Sequence, residues 1–200
     1  MIMVPPSVKT RSEGKSEIAT FAGGCFWCME PIFRIQKGVK DAIVGYSGPV
    51  ASERPGPGGM TKSPTYDQVS TGKTGYREAI QITFDPKLTP YEKLLDIFWR
   101  NIDPTDEGGQ FADRGDQYVT TIYFHDEDQR EKAEASREAL GKSGRFQSPI
   151  ATQILRFRNF FPAEEGHQKY YQKNPLRYGL YHEGSGRDEF LAKTWDSYKP

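Results

Sequence analysis

Cysteine is nearly absent from this chain: two residues in 200, Cys25 and Cys28, within Gly23-Gly24-Cys25-Phe26-Trp27-Cys28-Met29-Glu30. So sparse a pair is no disulfide framework and suits a reducing compartment, which makes the cytoplasm the expected location. Neither sign of charge is in excess, with 27 Lys plus Arg against 27 Asp plus Glu, so no nucleic acid or anionic membrane is expected as partner. Long apolar runs are missing as well, and no segment approaches membrane-spanning length. Met1 to Ser16 holds prolines and charges without a continuous apolar stretch, and is expected to be a flexible N-terminal segment rather than a secretory leader. A single domain is expected over 17–200. Histidine is limited to His125, His167 and His182, at spacings that complete no usual zinc site with Cys-x-x-Cys, so neither a metal nor another cofactor is expected.

What is present concentrates at the two cysteines. They follow an apolar stretch that reads as a strand and a glycine pair that brings open backbone to the thiol. A thiol at the start of an amphipathic helix lies among free N–H groups and the positive end of the helix dipole, which favour the thiolate. Cys25 is therefore the candidate nucleophile. Cys28 follows at i+3 on the same helix side and could capture an oxidised Cys25 after a modest shift of the first turn. The plain alternative is a pair of buried thiols, since cysteine is among the most often buried residues.

Periodicity gives the expected elements. Strands are expected at Glu17 to Ala22, Val39 to Tyr46, Ala79 to Phe84, Tyr118 to Phe124 and Ile150 to Phe157. Helices are expected from Phe26 to Gln36, from Thr89-Pro90 as a side-chain cap with proline at N1, and from Asp126 to Leu140 with a highly charged surface. This order argues for an α+β fold, an α/β sandwich with helices packed on a mixed central sheet and the candidate nucleophile at the N-terminus of the first helix. Two long connections stand out. Ser47 to Pro64 is dense in proline and glycine and reads as an exposed, mobile excursion that delivers Tyr66; Ile102 to Gln117 delivers Tyr118.

Gly24-Cys25-Phe26-Trp27 with Glu30, Gly45-Tyr46-Ser47-Gly48, Pro64-Thr65-Tyr66, Thr74-Gly75 with Glu78, Asp113, Gln117-Tyr118, His167-Gln168 and Lys173-Asn174-Pro175 occur in this order. Together they resemble the A class of peptide methionine sulfoxide reductases, over about Ala19 to Tyr178. The resemblance implies reduction of methionine S-sulfoxide, free or in peptides and proteins, with Cys25 as nucleophile. It implies Glu78 as the acid that protonates the sulfoxide oxygen, Tyr66 and Tyr118 as hydroxyls that hold it, and Asp113 as an acidic residue that helps arrange the site. Phe26 and Trp27 match the aromatic pocket around the substrate methyl group. A sulfoxide sulfur accepts a thiolate only if its oxygen can leave, so an acid and hydrogen-bond donors must meet that oxygen. Burial beside aromatic rings would keep Glu78 protonated.

The chain departs from the family pattern in two places. No cysteine follows Cys28, whereas many members resolve the oxidised nucleophile through a C-terminal tail. Members with a second cysteine inside the motif imply a Cys25–Cys28 disulfide reduced by thioredoxin; an external thiol is the other route. The glycine pair common after the Gly-Tyr turn is here Gly48-Pro49. Two other readings remain open: a thioredoxin-like dithiol-disulfide oxidoreductase, which has no need of an acid at Glu78, and a non-catalytic module binding methionine-rich peptides through Phe26 and Trp27. His167 and His182 carry no assigned role.

Overall fold

The computed structural model describes residues 16–48 and 63–195. The expected N-terminal segment up to residue 15 and residues 49–62 of the Pro/Gly-rich excursion lie outside the described residues. From the N-terminus the elements are β1 (Glu17–Ala22), α1 (Phe26–Arg34), β2 (Val39–Ser47), α2 (Tyr66–Ser70), β3 (Arg77–Phe84) and α3 (Tyr91–Trp99). There follow β4 (Gly109–Gln110), β5 (Asp113–Arg114), a 3-10 turn at Asp116–Tyr118, β6 (Thr121–Phe124), α4 (Glu127–Lys142), β7 (Gln153–Arg156) and β8 (Phe161–Pro162). Three helices close the chain: α5 (Tyr170–Lys173), α6 (Pro175–Gly184) and α7 (Arg187–Thr194).

Six strands form one sheet in the order β7-β6-β1-β3-β2-β8. All pairs are antiparallel except β6 with β7, so the sheet is mixed, as expected of an α+β sandwich. Alternation places Phe21, Ala42, Ile80, Ile82 and Phe84 on the face that α1 and α3 cover, where Phe21 stacks between Phe33 and Phe98 with centroids 5.5 and 5.1 Å away. The same alternation carries Tyr46 and Glu78, paired across β2 and β3, onto this face at its end, beside the first turn of α1. Strand periodicity thus delivers a carboxyl to the start of the first helix.

Several boundaries differ from the periodic reading. Pro90, not Thr89, is the N-cap of α3, and no side chain caps it; the Thr89 hydroxyl donates to the Lys37 carbonyl instead. Tyr118 closes a 3-10 turn rather than opening a strand, because its N–H returns to the Gly115 carbonyl at 3.0 Å. The last long strand starts at Gln153, since the N–H groups of Ala151 and Thr152 both go to the Pro104 carbonyl, at 2.8 and 3.2 Å. α4 buries only Gln129 and Ala133. No helix among the described residues is long and apolar enough to cross a membrane.

Candidate active site

Gly24 turns the chain out of β1 with φ +81°, and a Cβ there would lie 2.6 Å from Cβ of Gln110. Both the left-handed backbone and the close packing require glycine. Cys25 is then the N-cap of α1, outside the helix with φ −55° and ψ 119°, and Cys28 is the N3 residue. In a capping box these are the positions whose side chains reach each other's backbone. Here the two side chains are thiols close enough to shift each other's proton affinity in opposite directions. Both are free and buried.

Glu78 is 2 % exposed, and its Oε2 accepts the N–H of Phe26 at 2.9 Å. Burial, reinforced by Cys25, holds its carboxyl well above the ordinary range, and the Phe26 N–H only partly offsets this. Burial therefore favours the protonated acid at Glu78, while its Oε2 accepts the Phe26 N–H. The expectation that the helix end would draw Cys25 toward thiolate is not met in this site. The first N–H of the helix goes to Glu78, and burial pushes the Cys25 thiol well up.

Tyr66 opens α2 behind a complete capping box formed by Thr65 and Gln68. Burial raises its phenol, and the neighbouring Glu78 and Cys25 act in the same direction; burial likewise raises the phenol of Tyr118, which reaches the site from the other long connection. Both phenols are thus held as donors. Asp113, on the β4–β5 hairpin, accepts the Tyr181 hydroxyl, and burial raises its carboxyl above the ordinary range. Phe26 is buried and lies 6.4 Å from the Tyr66 ring. Trp27 is half-buried: it stacks on Tyr170 at 3.8 Å, meets Tyr181 edge-on, and donates its Nε1–H to Nδ1 of His167 at 3.1 Å. All eight residues expected from the sequence converge here.

The family model described as Peptide methionine sulfoxide reductase matches residues 17–199. The chain belongs to the peptide methionine sulfoxide reductase family. It is 54% identical over 181 residues to peptide methionine sulfoxide reductase MsrA of Bacillus pumilus, covering 90% of this chain and 96% of that one. To the MsrA of Bacillus subtilis it is 51% identical, covering 90% and 97%. Among solved structures, reduced Mxr1 of Saccharomyces cerevisiae has a TM-score of 0.70 at 34% identity, covering 81% of this chain and 87% of that chain. Methionine sulfoxide reductase A of Corynebacterium diphtheriae has a TM-score of 0.68 at 30% identity, covering 84% and 79%. The protein is accordingly an oxidoreductase that reduces methionine sulfoxide.

This reductase also draws on residues that the sequence left without a role. Glu164 accepts the Tyr46 hydroxyl on Oε2 at 2.8 Å and the Tyr66 N–H on Oε1 at 2.9 Å, so one carboxylate ties β2 to α2. Burial opposes its ionisation, but these donors outweigh it and hold the carboxyl below the ordinary range. His167 stacks on Tyr66 at 4.3 Å while accepting from Trp27, and burial lowers its imidazole. It is neutral, with Nδ1 as acceptor. Glu30, fully buried, accepts the Lys169 N–H at 2.7 Å and anchors this C-terminal segment to α1. His167 and Glu30 lie in the motifs already quoted; nothing in the sequence marks Glu164 or Tyr181 apart from other polar residues.

Proposed function

We propose that residues 17–200 form one catalytic domain that reduces methionine S-sulfoxide, free or in peptides, through a Cys25 sulfenic acid. Cys25 attacks the sulfoxide sulfur, Glu78 gives a proton to the oxygen, and Tyr66 and Tyr118 donate hydrogen bonds to it while Asp113 arranges the surrounding groups. Methionine leaves, and the sulfoxide and the Cys25 thiol have become a thioether and a sulfenic acid. Phe26 and Trp27 take the substrate methyl group. The observation that carries this reading is the buried Glu78 carboxyl, hydrogen-bonded to the N-terminal turn of the helix that Cys25 caps, where burial raises its proton affinity. A dithiol exchanger would leave that acid without a task.

Cys28 then condenses with Cys25, forming the S–S bond and releasing water. One hydrogen bond of α1 is missing beside the pair, since Pro31 has no N–H to give the Trp27 carbonyl, and this eases the shift that closure requires. Thioredoxin, in the cytoplasm, is the proposed donor that reopens the disulfide. A fixed wall of oxygen donors opposite one methyl pocket accepts one arrangement at sulfur. Racemic methionine sulfoxide incubated with the protein and dithiothreitol should lose its S epimer and retain the R epimer. Comparable rates on both would refute the proposal.

A further inference from the structure

α7 is a polar helix that buries two residues, Leu191 and Arg187. Arg187 is 3 % exposed, and a guanidinium keeps its charge even when buried. Such a charge ordinarily meets a carboxylate. Here it donates to main-chain carbonyls instead, to Gly23 at 3.2 Å and to Asn101, and it reaches Sδ of Met29 at 3.9 Å. Its Nε has no hydrogen-bond partner among the described residues. The Phe111 ring lies 4.6 Å beneath it, and a Cβ on Gly24 would sit 3.3 Å from Nη2. Arg187 therefore holds the main chain at Gly23 before the cysteine pair and packs against the Met29 side chain after it.

The groups that act electrostatically on Cys28, or feel it, are the Cys25 thiol, the Arg187 guanidinium, the carboxyls of Asp113 and Glu78, and the phenols of Tyr178 and Tyr181. Burial shifts both carboxyls toward neutral acids, so neither fully cancels the guanidinium. The neighbouring Cys25 lowers the Cys28 thiol, and the charge of Arg187 adds to this against the effect of burial. Cys25 is pushed the opposite way.

We propose that Arg187 is a positioning residue for closure of the Cys25–Cys28 disulfide: its guanidinium holds the Gly23 carbonyl before the pair, lies against the Met29 thioether after it, and brings a positive charge to the helix turn that carries Cys28. The proposal rests on the reading of Cys28 as the resolving thiol. In the step, Cys28 sulfur bonds to Cys25 sulfur, the Cys25 S–O bond breaks, and the hydroxide takes the proton that Cys28 released. No outside oxidant is required.

The test follows the two half-reactions separately, without reductant, by quenched-flow mass spectrometry over a range of pH. Arg187→Gln removes the charge but can still donate to a carbonyl, whereas Arg187→Lys keeps the charge and loses the planar fork. In Arg187→Gln, disulfide closure should slow about 10-fold at neutral pH and its midpoint should rise by about one pH unit, the scale set by a nearby charge. Methionine release should fall much less, and Arg187→Lys should restore the midpoint. Equal losses in both half-reactions with an unmoved midpoint would make Arg187 a packing residue and overturn the proposal. If Arg187→Gln does not fold, Arg187→Lys decides: a wild-type midpoint supports the proposal, and a raised midpoint despite the retained charge overturns it. A wild type that never forms the Cys25–Cys28 bond removes the reading of Cys28 itself, and this proposal with it.

Discussion

The N–H of Phe26 donates to Oε2 of Glu78 at 2.9 Å, which places a carboxyl from β3 against the helix turn that begins beside Cys25. An N–H at a helix start ordinarily favours the anion. Desolvation of a 2 % exposed side chain, helped by Cys25 and Asp113, wins over it. Glu78→Gln keeps the shape and a donor but removes the transferable proton, so kcat/KM for methionine sulfoxide should fall by ~100-fold or more. An unchanged rate would move the acid elsewhere, with Asp113 the next candidate. Wild-type activity should decline as pH rises through the raised Glu78 value, and the residual activity of the variant should lack that decline.

The same shift has a consequence for stability. Between the ordinary carboxylate value and the raised one, folded Glu78 keeps a proton that the unfolded chain has lost, so stability falls as pH rises through this window. Thermal melts should show Glu78→Gln more stable than wild type at neutral and alkaline pH, with the difference closing as pH falls below the ordinary carboxylate value. A difference that grew toward acid pH would mean that Glu78 is folded as an anion.

Burial holds the phenols of Tyr66 and Tyr118 protonated. Tyr66→Phe or Tyr118→Phe should each lower kcat by roughly 10²-fold or less, as for one donor removed from a group that shares an oxyanion. The double variant should lose more than either. A double variant no worse than one single would leave the other hydroxyl without a part in catalysis.

Gly24→Ala combines a positive φ with a Cβ 2.6 Å from Cβ of Gln110. It should cost about 1 to 3 kcal/mol in urea unfolding and displace Cys25 enough to lower kcat. Wild-type stability would show that the turn can relax away from Gln110.

Residues that follow from local pattern were legible in the sequence, and residues fixed by long-range contact were not. The alternation of Ile80, Ile82 and Phe84 with Val44 and Ala42 specifies the sheet face, and the glycine pair before Cys25 marks the turn into α1. The capping role expected of Thr89 fails because the helix starts one residue later, with Pro90 as its N-cap, and the Thr89 hydroxyl is turned toward the Lys37 carbonyl, far away in sequence. The thiolate expected at Cys25 is opposed by burial, which raises its thiol with Cys28 adding to it, a long-range consequence of packing that local pattern does not show. Glu164 and Tyr181 act only because the C-terminal segment folds back over α1 and the β4–β5 hairpin, through Lys169 to Glu30 and Tyr181 to Asp113. Periodicity carries no information about such returns.

The most direct test uses Cys28→Ser, mixed once with methionine S-sulfoxide in the absence of reductant. One equivalent of methionine should be released per chain, and peptide mass spectrometry should place a trappable sulfenic acid on Cys25, where wild type shows the Cys25–Cys28 disulfide instead. Methionine release with Cys25 still a free thiol, or repeated turnover without reductant, would contradict the account.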